Sequence, residues 1–241
     1  MTLHLIQLHP DMPRLVRWAT HAGVLARDGD DDLGYALHAL LTAAFDTLAP
    51  HPFALLRDTR RPATLLAYTP HDATALQERA AAFALPEAVA ALGLETLTAK
   101  AMPARFAVGR RLGFSLRVRP TVRTDRDGDR NAAREVDAFL AAVTGTDPGA
   151  GPERSEVYRE WLQRRLEEGG AMAETLSLEA FRLSAVYRRD KARKLHRSLG
   201  PDASFTGTLI VREPDAFATM LERGVGRHRA FGFGMLLLRP A

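Results

Sequence analysis

The sequence predicts an α+β protein built from two successive β-α-β-β-α-β units. Stretches such as 2–8 and 112–119 set apolar side chains at alternate positions, the period of a half-buried strand. Stretches such as 33–48 and 153–168 repeat their apolar residues every three or four positions, the period of a helix packed along one face. Read in order, strands and helices pass through the same succession twice, without any repeat of the residues themselves.

The first unit opens with the strand 2–8. Asp11 and Pro13 start a helix with the apolar stripe Met12, Leu15, Val16 and Ala19, ending near Gly23. The acidic stretch 27–32 supplies an N-cap for the next helix, over 33–48. There, at about 100° per residue, Leu33, Leu37, Leu40, Leu41 and Ala44 gather on one face. Tyr35, His38 and Thr42 fall opposite, and Tyr35 and His38, three apart, are neighbours. A hairpin is expected from 53–58 and 63–68 across Arg60, Arg61 and Pro62. A helix over 72–83 and a strand over 94–102 complete the order of a ferredoxin-like (RRM-like) domain.

Pro103 marks the boundary between two domains, 1–102 and 103–241. The second opens with the strand 112–119, where Ser115, Arg117 and Arg119 alternate with apolar positions. A solvated loop over 121–130, a short helix over 132–143 and a flexible connection over 145–152 are expected next. The helix 153–168 turns Val157, Trp161, Leu162 and Leu166 inward and closes at Gly169 and Gly170. Residues 176–188 read as a strand whose phase slips near Glu179, and 204–211 as its partner across a basic stretch. A helix from Pro214 with Phe217, Met220 and Leu221 inward, then a strand over 230–238, repeat the ferredoxin-like plan.

With 241 residues there is room for one large or two small domains, and no cysteine for a disulfide, a thiolate metal site or a cysteine nucleophile. No apolar run approaches the roughly 20 residues of a membrane span, and the start lacks a basic leader. A cytoplasmic protein with no membrane partner is expected. The net charge is +4, yet 182–200 alone carries +6, so the remainder sums to −2. The basicity is local, an electrostatic footprint for a polyanion.

The C-terminal stretch Gly224-Val-Gly-Arg-His-Arg-Ala-Phe-Gly-Phe-Gly234 sets four glycines around Arg227, His228 and Arg229. A helix cap followed by a bulged strand would explain the glycine spacing alone. A dinucleotide site would need these glycines to open a helix, and a P-loop needs a Gly-Lys-Ser/Thr; neither is present. A tight turn whose backbone N–H groups and arginines suit an oxyanion remains open. The run Arg188, Arg189, Lys191, Arg193, Lys194 and Arg197 is either a solvated hairpin tip or a ribbon that follows phosphates across an RNA groove. The histidines form no metal-ligand spacing, and the acidic run 28–32 is better explained as helix capping, so neither metal nor cofactor is expected. No Gly-x-Ser-x-Gly elbow occurs. RNA cleavage by its own 2′-OH suits such a residue set: the substrate supplies the nucleophile, and the protein supplies proton transfer and positive charge. Histidine, ordinarily titrating near about pH 6.5, can serve either proton role.

Taken together, the glycine tail running into Met235-Leu-Leu-Leu238, Tyr35-Ala-Leu-His38 followed by Leu40 and Leu41, the basic hairpin, and Arg212-Glu-Pro-Asp215 resemble one family. It is the CasE-type CRISPR endoribonucleases of type I-E (Cascade) systems, within the repeat-associated mysterious protein superfamily. The resemblance spans essentially the whole chain. It implies tandem ferredoxin-like domains and metal-independent cleavage of CRISPR repeat stem-loops in precursor RNA. The enzyme would then stay on the 3′ hairpin and join other Cascade subunits. It also implies His38 as general acid or base with Tyr35 as its partner. Arg188, Arg189, Lys191, Arg193, Lys194 and Arg197 become the stem-binding ribbon. Gly224, Gly226, Arg227, His228, Arg229, Gly232 and Gly234 become a further RNA-binding loop. Some members carry a lysine after the histidine on the active-site helix, where this chain has Thr42, Ala43 and Ala44, leaving Arg227 or Arg229 as candidate cations. The segment 121–152 is long for the family. The alternative is a non-catalytic RNA-hairpin-binding subunit with the same folds.

Overall fold

A computed structural model describes residues 2–25, 33–124, 134–145, 147, 151–189 and 195–241. The first half runs β1 (His4–Leu8), α1 (Met12–His21), α2 (Gly34–Phe45), β2 (Phe53–Asp58), β3 (Arg61–Thr69), α3 (Ala73–Phe83), α4 (Pro86–Leu92) and β4 (Thr98–Ala101). Its antiparallel sheet has the order β2-β3-β1-β4. The second half runs β5 (Arg111–Val118), β6 (Thr121–Thr124), β7 (Arg134–Asp137), α5 (Ala138–Val143), α6 (Arg154–Glu168), β8 (Ala171–Arg189), β9 (Leu195–Val211), α7 (Pro214–Arg223) and β10 (Leu237–Pro240). Its antiparallel sheet is ordered β10-β5-β9-β8. In both, the unit's first and third strands lie centrally and its second and fourth at the edges. The molecule is a tandem of ferredoxin-like folds.

Strand alternation distributes the first sheet between two cores. Ile6, Leu8, Phe53, Leu65 and Ala67 face a core shared with α1 to α4. Their neighbours Leu5, Ala54, Leu66 and Tyr68 face the other way and join the core of the second half. Each fully buried leucine-sized side chain contributes about 1.5–3 kcal/mol relative to exposure, and the partly buried Leu5, Ala54 and Leu66 with the buried Tyr68 add a smaller share that ties the two halves together. The Tyr68 hydroxyl crosses between them, donating to the Leu236 carbonyl at 3.0 Å. Burial pushes its pKa up, keeping it a protonated donor.

Several elements depart from expectation for identifiable reasons. Helix α4, unanticipated, begins at Pro86 and ends on Gly93 in the left-handed conformation. The expected strand 94–102 opens with a 3-10 turn over Leu94–Thr96 and is extended only as β4. The expected loop at 121 begins with β6, and the expected helix 132–143 opens as β7: Val122 pairs with Val136, and Asp137 then caps α5 by accepting from the Phe139 N–H at 2.8 Å. Bulges at 173/175 and 178/180 explain the phase slip near Glu179. The last strand shrinks to β10 because Gly232 and Gly234, at φ 82° and 79°, cannot continue an extended strand. Helix α2 is capped by Leu33 without a side-chain bond, and residues 28–32, the expected cap and acidic run, lie outside the described residues. Val16 faces solvent, whereas Arg119 is buried and donates to the Ser184 carbonyl at 3.2 Å. Among the described residues no helix is long and apolar enough to cross a membrane.

Candidate functional site

Helix α2 buries Leu37, Leu40, Leu41 and Ala44, which fixes its roll and turns Tyr35 and His38 toward the C-terminal loop. Both are half-buried. The His38 ring meets Phe231 edge-on with centroids 5.2 Å apart, and Tyr35 lies 6.1 Å from the same ring. Burial, then the charge of nearby His51, lowers the His38 pKa below the ordinary histidine value. At neutral pH His38 is therefore an uncharged imidazole able to accept a proton. The Thr42 hydroxyl is committed to the His38 carbonyl at 2.8 Å.

The glycine loop delivers Phe231. Its neck is closed by the Val225 N–H donating to the Gly234 carbonyl at 2.8 Å and the Gly234 N–H donating to the Arg117 carbonyl at 2.7 Å. Gly234 sits at φ 79°, and a Cβ there would lie 2.4 Å from the Val225 carbonyl oxygen. A Cβ on Gly224 would press on Pro52 at 3.0 Å, while Gly226 faces Trp161 and Gly232 faces Phe53. These four glycines thus fold the loop against the protein itself. His228 holds the left-handed conformation, at φ 59°, just before the 3-10 turn Arg229–Phe231.

Glu135 of β7 clamps this bend. Its carboxylate accepts from His228 Nε2 at 3.0 Å, Arg227 Nη1 at 3.3 Å and the Thr121 hydroxyl at 2.8 Å. Burial alone would raise its pKa; the bonds from His228, Thr121 and Arg227 outweigh it and lower the value to about 2. The segment 121–152, without an assigned role in the sequence, therefore contributes the anchor of the glycine loop. Arg229 instead donates to the Arg223 carbonyl at 2.7 Å.

Three basic cavities surround the loop. One of about 470 Å³ lies between the end of α2, the end of β3 and the end of α7, lined by His51, His71, Glu222, Arg223 and Arg229. A second, about 560 Å³, shares Arg223 and Arg229 and adds Arg165, Glu168 and Arg227. A third, about 330 Å³, brings Arg57, Arg117 and Arg182 against the start of α2 and Gly232. Buried Asp202 organises that last group, accepting from Arg117 at 2.7 and 2.8 Å and from Arg182 at 2.8 Å. Its own burial would raise its pKa, but the two arginines hold it below the usual carboxylate range. Among the described residues, no three His, Asp or Glu side chains converge as a metal site.

The β8–β9 ladder continues to the pair Arg189↔Leu195, so Arg188 and Arg189 lie at the far end of a long two-stranded ribbon. Arg188 and Arg189 lie on β8, and exposed Arg197 lies on β9 opposite Tyr187. Lys191, Arg193 and Lys194 lie outside the described residues. The structure brings Tyr35, His38 and Arg229 to one region with the glycine loop, directs Arg227 and His228 toward Glu135, and carries the ribbon on separate strands. Sequence reasoning missed Glu135, Arg57, Arg117, Arg223 and the proximity of His51 to His38. Of the residues around these cavities, Arg182 carried a signal, as one end of the basic stretch.

Fold and site together define a tandem ferredoxin-like protein with a histidine-bearing helix facing an arginine-lined cleft. A family model described as "CRISPR associated protein" matches residues 3–240, and the chain belongs to that family. No curated protein matches it. Among solved structures it is similar to Cse3 of Thermus thermophilus bound to an RNA representing a pre-cleavage complex, at 20% identity over 100% of both chains with a TM-score of 0.61. It is also similar to Cas6e of Escherichia coli K-12, at 18% identity over 100% of both chains and a TM-score of 0.57. A chain of a CRISPR RNA-guided surveillance complex matches at 16% identity over 99% of this chain and 100% of its own, with a TM-score of 0.54.

Proposed function

We propose that the protein is a CasE-type endoribonuclease that cuts CRISPR repeat stem-loops in precursor CRISPR RNA by metal-independent attack of a 2′-OH on the adjacent phosphate. The observation that carries this reading is the half-buried His38, its pKa lowered, held against Phe231 of the glycine loop, whose Arg229 lines a basic cavity with Arg223. A neutral histidine can take the 2′-OH proton, and the vicinal hydroxyl needs no further positioning cost because the substrate tethers it. Tyr35 orients the ring pair and the ribose. Helix α2 contains no Lys or Arg, so the charge that stabilises the phosphorane comes from outside it, with Arg229 in that role. Arg227, committed to Glu135, holds the loop instead.

In this reading residues 1–102 supply the catalytic helix and 103–241 the glycine loop and the ribbon of Arg188, Arg189, Lys191, Arg193, Lys194 and Arg197, which tracks the phosphates of the stem. The products carry a 5′-hydroxyl and a 2′,3′-cyclic phosphate, and the protein stays on the 3′ hairpin as a subunit of a Cascade surveillance complex. The likeness to Cse3 solved with RNA and to a chain of a CRISPR RNA-guided surveillance complex supports this assignment. The test is His38→Ala: repeat-RNA affinity is retained while cleavage falls about 10²–10⁴-fold, the usual contribution of general acid–base catalysis. Wild-type cleavage by His38→Ala would contradict the assignment, and a wild-type protein that binds without cutting would favour the RNA-binding subunit.

A further inference from the structure

Helix α2 provides a proton acceptor, but the reaction also needs a group that protonates the departing 5′-oxygen. Attack and departure occur on opposite sides of the phosphorus, so the two proton-handling groups must approach from different directions. Tyr35 and His38 lie side by side on one helix face and both pack on Phe231, so they approach from the same side. The adjoining cavity of about 470 Å³ offers another direction. It is bounded by residues 47–51, which follow α2, and by Arg229, whose 3-10 turn carries Phe231 onto His38. His51 reaches this cavity from its own segment, is exposed to it, and stands beside Arg223 and Arg229. It is also near enough for its charge to act on His38. His51 Nδ1 lies 3.2 Å from the Ala49 carbonyl, which can only accept, so Nδ1 carries a hydrogen and Nε2 is left for a ligand.

We propose that this cavity receives the scissile phosphate and that His51 is the general acid of the cleavage reaction, paired with His38 as the base. The assignment rests on the nuclease reading above. In the step, His38 takes the proton from the 2′-OH, the O2′–P bond forms and the P–O5′ bond breaks. His51 enters the step as the imidazolium, and its Nε2 proton passes to O5′ while Nδ1–H stays on the Ala49 carbonyl. The RNA leaves as a 2′,3′-cyclic phosphate and a 5′-hydroxyl, with His38 protonated and His51 neutral, and exchange with water restores both. Arg223 and Arg229 line the same cavity and balance the charge on the non-bridging oxygens.

The test compares ordinary repeat RNA with the same RNA carrying a 5′-bridging sulfur at the cleavage site, since a thiolate leaves without needing a proton. His51→Ala should slow cleavage of ordinary RNA about 10²-fold or more, and should cut the sulfur substrate within about 3-fold of wild type. His38→Ala should be slow on both. His51→Gln, with repeat-RNA affinity measured in parallel, separates loss of the acid from loss of the fold. Equal slowing on both substrates, or wild-type rates on ordinary RNA, would overturn the assignment. A wild-type protein that cuts neither substrate would overturn the nuclease reading and this assignment with it.

Discussion

The proposed role of His38 as a base rests on its surroundings rather than on its identity. Burial among α2, Phe231 and the interdomain cleft disfavours the imidazolium, and His51 adds a like charge, both lowering its pKa from 6.5. Because the base acts deprotonated, cleavage under kcat/KM conditions should rise with pH through a limb whose midpoint lies below 6.5. Replacing His51 by Gln removes the repulsion and should move that limb upward, a shift measurable in single-turnover rate profiles; an unmoved limb would show that the two rings do not communicate. At this scale the sequence was legible for Tyr35 and His38, since three-residue spacing on an amphipathic helix places them together. It was not legible for His51, which follows α2 outside its periodic stretch, or for Glu135, whose partners Arg227 and His228 lie 92 and 93 residues away in the chain.

The glycine loop and the basic ribbon are separate devices with separate signatures. Gly234→Ala must either leave the left-handed region or collide with the Val225 carbonyl, opening the neck that presents Phe231. Cleavage should fall while ribbon-dependent RNA binding persists, as a gel-shift beside a cleavage assay would show. Glu135→Gln weakens the clamp on His228 and Arg227, costing about 1 kcal/mol at neutral pH for a partly exposed pair. Its pKa is depressed in the folded protein, so the stabilisation is present above 4.5 and lost as pH falls toward about 2. The difference in melting temperature between Glu135→Gln and wild type should disappear over that window. Removing Arg188 and Arg189 together should instead weaken RNA binding and flatten its salt dependence by about 0.7–0.9 per lost phosphate contact in the log–log slope. The ribbon was legible as charge between two strands. The loop was legible as glycine spacing, but its partner β6–β7 was not, because short strands bounded by charged residues carry too few alternations to distinguish from a loop or helix.

At the scale of the molecule, two ferredoxin-like units share one fabric. The first sheet is apolar on both faces, so the residues beside its own core residues complete the core of the other half. That explains why the order of elements was readable while the interface was not: alternation marks which residues are buried without saying against what. Tyr68→Phe removes the buried donor to the Leu236 carbonyl and should destabilise the protein by about 1–2 kcal/mol, measured by urea unfolding, because the carbonyl is left without that partner. The cleft that this joint maintains is where the proposed chemistry resides. The most direct measurement incubates the purified protein with CRISPR repeat RNA in excess EDTA, beside the same RNA carrying a 2′-deoxy sugar at the cleavage site. Cleavage of the unmodified RNA alone, ending in a cyclic phosphate, is the predicted result. Cleavage of both RNAs, or none until a divalent metal is restored, would contradict a mechanism built on the 2′-OH and His38.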